Sequence, residues 1–330
     1  AYEIKECDWS SDVCSSDLYY HLSPFYQGTG KSFPNECRVR LMFSYRHAFH
    51  AGSHADILKH IVLIQLVQYL QEKPGALTIV DTHAGAGIYS LEDGFAAVSK
   101  EAAGGIFRLQ KFVEAGNTVP KSIQQYLDCI SSENPQGEIQ IYPGSPFILA
   151  RFLRSQDRLK LFELHPKEID ILRQNVSQLK QSKQIDVYAQ DSFSRLKGLL
   201  PPPSRRGLVL IDPSYEDKQD YRNLEIAIEE ALRRFATGCY AIWYPAISRR
   251  ESAELPERMK RIATANKRSW LHAELRVENA PGERRLQASG MFIINPPWTL
   301  EKHLAEALPV LVKALGLDGG AKMLLKSFEA

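Results

Sequence analysis

The stretch "LVLIDPSYE", Leu208 to Glu216, runs four apolar residues straight into Asp212, Pro213, Ser214 and Tyr215. A short apolar run of this kind bounded by turn residues is a buried strand, and the loop after it carries chemistry. The same pattern recurs upstream. In "ALTIVDTHAGAG", Ala76 to Gly87, an apolar and β-branched run leads to Asp81 and a glycine-rich turn, and further buried-strand candidates lie at 159–163, 185–189, 240–244, 271–277 and 290–295. Helical sequence separates most of them, as at 167–181 and 221–235. Strands alternating with helices predict a mostly parallel sheet of seven strands, covered on both faces.

Around that frame, "GSHADILKHIVLIQLVQYLQEKPG" places apolar residues at 57, 58, 61, 62, 64, 66, 67 and 70, a helical stripe that Pro74 and Gly75 end. The alanine-rich segment from about 92 to 137 breaks the alternation and is expected to be a helical insertion in one domain spanning 42–330. Residues 1–41 have neither helical nor strand periodicity. They contain "DWSSDVCSSDL", a string that one reading frame of a common sequencing-adapter DNA also encodes, so this stretch is expected to be a non-native or disordered extension ahead of Met42.

Composition narrows the class. With 44% hydrophobic and 24% charged residues the chain reads as an ordinary globular protein, and its net charge of +2 excludes a global polycation. Nucleic-acid affinity would have to come from local pairs such as Arg205 and Arg206, Arg249 and Arg250, or Arg284 and Arg285. No apolar run approaches the roughly 20 residues of a membrane span, so no membrane association is expected. The five cysteines are scattered, which suits a reducing cytoplasm. Four histidines, His47, His50, His54 and His60, crowd into fourteen residues, but no cysteine lies near them and a glycine-containing turn interrupts the spacing, so no metal site is expected.

In open parallel sheets, ligands bind beyond the carboxyl ends of the strands. Asp81 with Gly85 and Gly87 follows the first strand, Glu163 in "LFELHP" the second, Asp191 in "YAQDSF" the third and Asp212 the fourth. The glycines let a backbone loop approach a ligand closely. Glu163 stands where a ribose hydroxyl pair would be received, and Asp191 where an adenine amino group would donate. A glycine loop alone is weak evidence, and the strict G-x-G-x-x-G is absent. Acids at successive strand ends closing on Asp-Pro-x-Tyr are more specific, and fit a Rossmann-like class I S-adenosylmethionine-dependent amino methyltransferase.

That chemistry needs two acceptors, the Asp212 carboxylate and the Pro213 carbonyl, for the two N–H groups of a poorly nucleophilic exocyclic amine. Tyr215 is expected to stack on the base. The rival reading, that Asp212 only caps a helix, is weakened because the next helix starts near Asp220. "MFIINPPW", Met291 to Trp298, has a similar Asn-Pro-Pro-Trp ending. The last strand of such sheets runs antiparallel, which puts this motif at the wrong end, so it is expected to be a structural turn.

The stretches "SYRHAFHAGSHADILKH", "DTHAGAGIYSL", "YPGSP", "ELHP", "SRRGLVLIDPSYE", "RFATGCYAIWYP" and "ASGMFIINPPW" resemble the RlmJ family, bacterial methyltransferases acting on N6 of an adenine in 23S ribosomal RNA. The resemblance runs from Met42 to about Leu315 and implies S-adenosylmethionine as cofactor and 23S ribosomal RNA as partner, for a monomeric cytoplasmic enzyme. It implies that His60, His83, Ser145, Glu163, Asp191 and Ser192 contact the cofactor with Lys59 beside them, that Asp212 is the catalytic acceptor, and that Tyr45 with its neighbour Arg46 meets the RNA. The family usually reads Asp-Pro-Pro-Tyr, so Ser214 departs from it. The competing expectations are a non-catalytic RNA-binding protein on the same fold, a DNA adenine-N6 methyltransferase, and, with least support, a nicotinamide-dependent dehydrogenase.

Overall fold

The computed structural model describes residues 50–91, 101–279 and 286–330. Tyr45 and Arg46, the extension 1–41 and the start of the insertion at 92–100 lie outside the described residues.

The first helix, α1 (His54–Gln71), opens on Ser53, whose hydroxyl accepts from the Asp56 N–H. It is buried on every side from His54 to Val67, because it lies against the sheet and is itself covered. Strand β1 (Thr78–Asp81) follows, then the short hairpin pair β2 (Ile88–Ser90) and β3 (Ile141–Pro143), with α2 (Glu101–Gly104), α3 (Ile106–Glu114) and α4 (Lys121–Glu133) between them. Next come α5 (Ser145–Phe152), β4 (Arg158–Phe162), α6 (Pro166–Ser177), β5 (Ile185–Tyr188), α7 (Ser192–Leu199) and β6 (Gly207–Ile211). The chain closes with α8 (Gln219–Arg234), β7 (Cys239–Pro245), α9 (Arg250–Ala265), β8 (Trp270–Arg276), β9 (Ala288–Ile294), α10 (Leu300–Leu315) and β10 (Lys322–Phe328).

The main sheet has eight strands in the order β10-β8-β9-β7-β6-β1-β4-β5. Strands β5, β4, β1, β6 and β7 are mutually parallel, whereas β9 runs antiparallel to both β7 and β8. The expectation of seven strands is therefore corrected to eight. The addition is β10, an edge strand antiparallel to β8, most of whose residues are exposed. Helices α1, α4, α5 and α10 pack together, and α7, α8 and α9 pack in succession. The central strands β6, β7 and β9 are buried along their whole length.

Register fixes where the loops emerge. Asp81 is level with Leu161 of β4 and Leu210 of β6. Glu163 and Asp212 each lie two residues further along, about 7 Å at strand rise. Three carboxylates thus crowd one end of the sheet. Asn295 does not join them: Ile294 is level with Tyr240, so the antiparallel β9 delivers Asn295 to the amino end of β7.

Candidate active site

A cradle at the carboxyl ends of the strands is lined by Lys59, His83, Ala84, Tyr89, Gly144, Ser145 and Asp212. Two glycine-containing turns let its walls come close. Gly87 adopts φ +83°, and a Cβ there would lie 2.9 Å from Leu172. Gly144 donates its N–H to the Gly87 carbonyl at 2.9 Å, so a side chain on it would press on that same carbonyl.

At the centre is a buried charge cluster. Lys59 Nζ lies 2.6 Å from Asp212 Oδ2 and 2.9 Å from Asp56 Oδ1, with all three side chains less than a tenth exposed. Burial pulls the Lys59 ammonium down, but the attraction of Asp212 and Asp56 outweighs it and raises its pKa, so the lysine stays charged. Asp56 also accepts from the Gly52 N–H at 3.0 Å, which ties the start of α1 to the cluster.

Asp81 is fully buried. Burial lifts its carboxyl to about 6, against the hydrogen bond from Ser145 and with the Asp212 charge adding to the rise. Its oxygens accept from Ser145 Oγ at 2.7 Å and from the His83 N–H at 3.3 Å. Burial pushes the His83 imidazole down to about 4, so it is neutral near pH 7 despite the Asp191 charge. Glu163 is raised by burial, and the N–H groups of His165 (2.7 Å) and Gly85 (2.8 Å) oppose the shift. Each of its oxygens holds one backbone donor and keeps lone pairs for a ligand. Asp191 caps α7 through the Phe193 and Ser194 N–H groups. Behind it the hydroxyl of Ser192 is buried without a partner among the described residues.

Two of the predicted site residues are buried. His60 is fully buried, its Nδ1 is 3.0 Å from the Tyr142 hydroxyl, and that hydroxyl is 3.1 Å from Tyr126. Successive residues of a helix point about 100° apart, so Lys59 facing the cradle sends His60 into the core. His60 supports the β3 strand that precedes Ser145. Tyr215, expected to stack on a base, is also fully buried. It sits at φ +56°, its hydroxyl donates to the Trp243 carbonyl at 2.7 Å, its N–H to Asp220 at 3.2 Å, and its carbonyl accepts from Arg249 at 2.8 Å. Its ring packs 4.6 Å from Tyr221. Tyr215 is therefore an internal peg that fixes the 212–216 loop, because a ring this large is stabilised more by the core than by a place at the rim.

Asp56 and Tyr89 went unnoticed in the sequence. Asp56 had a readable signal, since the spacing of three in "DILK" puts it on the Lys59 face of α1. Among the described residues, no group of three His, Cys, Asp or Glu is arranged to hold a metal, and no helix is long and apolar enough to cross a membrane.

The family model described as ribosomal RNA large subunit methyltransferase D, RlmJ, matches residues 74–325. The chain belongs to the RlmJ family. The Haemophilus influenzae protein named ribosomal RNA large subunit methyltransferase J is 44% identical over 279 residues, 84% of this chain and 96% of that protein. Its Escherichia coli namesake is 41% identical over 270 residues, 82% and 93% of the two chains. A solved structure of a Legionella pneumophila protein, 35% identical, superposes with a TM-score of 0.75 over 84% of this chain and 98% of the other. The fold and these relatives make the RlmJ-family chain a methyltransferase.

Proposed function

We propose that the protein transfers a methyl group from S-adenosylmethionine to the exocyclic N6 of an adenine in 23S ribosomal RNA, a reaction of the cytoplasm. The observation that carries this reading is Asp212: it ends β6 at the floor of the cradle, with its carboxylate held by Lys59 at 2.6 Å. The cradle suits a cationic ligand, since three carboxylates, Asp56, Asp81 and Asp212, face one lysine. S-adenosylmethionine supplies the methyl group already activated on a sulfonium, which leaves the protein mainly to position and orient.

Asp81, Ser145 and the Gly85–Gly87 turn would bound the ligand's amino-acid end, Glu163 would receive the ribose hydroxyls, and Asp191 with Ser192 and His83 would meet its adenine. Lys59 holds the Asp212 carboxylate at 2.6 Å and balances its charge. The Asp212 carboxylate and the Pro213 carbonyl accept the two N–H groups of the target amine, which localises the nitrogen lone pair for in-line attack. As the nitrogen–carbon bond forms and the sulfur–carbon bond breaks, the amine sheds one proton to solvent. Tyr215 acts through the loop and does not touch the base. Tyr45 and Arg46 retain their proposed place at the RNA.

Methylation with labelled S-adenosylmethionine of protein-free 23S RNA, assembled subunits and duplex DNA, followed by nucleoside analysis, tests the reading. The expected product is N6-methyladenosine in RNA. Label confined to DNA, or found in no substrate, overturns it.

A further inference from the structure

The Asn295–Trp298 turn takes no part in the site above, yet it is held firmly. Asn295 adopts φ +55°, its side-chain amide donates to the carbonyls of Ala236 at 2.9 Å and Gly238 at 2.7 Å, and its N–H donates to Ser269 at 2.9 Å. Three turns, 235–238, 266–269 and 295–298, are thereby locked together at the amino end of β7. Pro297 is buried beneath them, while Trp298, the next residue, is 77% exposed. Leaving an indole in water forgoes much of the stabilisation that burying it brings.

The adjoining turns are cationic. Arg233 and Arg234, just ahead of Ala236, have side chains 72% and 45% exposed, and Lys267 and Arg268 immediately precede Ser269. Glu230, the acid beside them, pairs with both arginines. An exposed indole on turns locked to segments that carry four cations, with Glu230 and Glu301 as the acids nearby in sequence, is suited to an unpaired nucleobase between phosphates: the ring stacks on any base, and the cations neutralise the backbone.

We propose that this turn is a second RNA contact, remote from the cradle, in which Trp298 stacks on an unpaired base while Arg233, Arg234, Lys267 and Arg268 hold the flanking phosphates. It rests on the ribosomal RNA reading above and adds a second point of substrate recognition. Asn295 lies beyond the amino end of β7 and Asp212 beyond the carboxyl end of β6, so the two contacts are separated by the height of the sheet, roughly 20 Å. One RNA reaches both only if it is folded and extends well past the target nucleotide.

The test measures binding and methylation of protein-free 23S RNA by the full chain and its variants. Trp298→Ala should weaken RNA affinity and raise KM by about fivefold or more, the effect of losing one stacked base. Its melting temperature should match wild type, because the ring is exposed. Trp298→Phe should restore affinity to within about threefold, and RNA should quench a component of tryptophan fluorescence that Trp298→Ala lacks. Lys267→Gln should lower the slope of log affinity against log salt by about one phosphate contact. Unchanged affinity and KM in Trp298→Ala, with wild type methylating 23S RNA, overturns the second contact and leaves the proposed function standing. A wild-type oligomer that Trp298→Ala dissociates, with RNA affinity unchanged, assigns the turn to a protein contact and also overturns it. If wild type neither binds nor methylates ribosomal RNA, the proposed function fails and this contact fails with it.

Discussion

Tyr215→Phe distinguishes a peg from a stacking platform more sharply than any truncation. A stacking ring loses nothing when its hydroxyl is removed, so stability and turnover would both be kept. A peg loses the 2.7 Å bond to the Trp243 carbonyl, in a place where no water can replace the donor. Leaving a buried carbonyl unpaired costs about 1–3 kcal/mol. In a domain of this size each kcal/mol shifts the melting temperature by roughly 2–4 °C, so a fall of several degrees is expected. The Asp220 and Arg249 bonds remain, and they keep the loop within reach of its working geometry. Turnover at a temperature well below the transition should therefore fall less than the stability loss alone suggests. Differential scanning calorimetry and single-turnover rates on the same preparation read both quantities. A Phe variant that melts with wild type would refute the peg, and Tyr215 would return to the base.

Asp212→Asn should fold and still bind S-adenosylmethionine, while single-turnover methyl transfer falls by about 10²-fold or more, since a charged acceptor is replaced by a weaker one. Lys59→Met leaves Asp56 and Asp212 without their shared cation. Like charges disfavour ionisation, so the acid limb of the pH–rate profile should move to higher pH, and an unmoved limb would remove Lys59 from its proposed role. Asp81→Asn gives a signed pH effect. Burial raises the Asp81 carboxyl from 3.8 to about 6, so whatever stability it contributes is present below pH 4 and lost as pH rises through 6. The Asn variant of the ligand-free protein should thus gain melting temperature over wild type at pH 7, the gain should shrink toward pH 4, and its S-adenosylmethionine affinity by calorimetry should fall; a gain equal at both pH values would contradict the assignment. Glu163→Ala should weaken cofactor binding more than it slows chemistry, because a ribose contact is made equally in ground and transition states.

The central strands β6, β7 and β9 were legible because each is a short run that is buried along its whole length, with no need for alternation, whereas β4 and β8 mix buried and partly exposed positions. Strand β10 escaped that reading for the opposite reason: "KMLLKSF" lies at the sheet edge with most of its residues exposed, so its composition carries little burial signal. The strands β2 and β3, three residues each, are too short to show a period. In the site, Asp81, Glu163 and Asp212 were legible as acids at strand ends, since register alone delivers them to one place. Tyr215 was not, because an aromatic after Asp-Pro-x has the same sequence whether its ring faces a ligand or the Trp243 carbonyl. His60 follows Lys59 on the same helix, about 100° further round, and meets the Tyr142 hydroxyl. The Asn295 motif was placed at the far end by strand direction, and the register of β9 against β7 agrees.

A buried lysine beside the proposed acceptor Asp212 looks counterproductive, since it competes for the carboxylate that would accept from the amine. Charge balance resolves this. Without Lys59, Asp56, Asp81 and Asp212 would share a water-poor space, and mutual repulsion would hold at least one of them protonated near neutral pH. With it, the Asp212 carboxylate is fixed by the Lys59 ammonium at 2.6 Å and its charge is balanced. The remaining negative excess falls on Asp81, whose ionisation near pH 6 is completed most easily when a cation enters beside it. On the proposed reading, the same residues would therefore bind a sulfonium more tightly than the neutral thioether left after transfer. Calorimetry should show S-adenosylmethionine affinity exceeding that for S-adenosylhomocysteine at pH 7. The preference should narrow as pH falls through 6 and should be reduced in Asp81→Asn. Equal affinities at pH 7 would mean that the cradle does not discriminate by charge, and that Lys59 only balances Asp56.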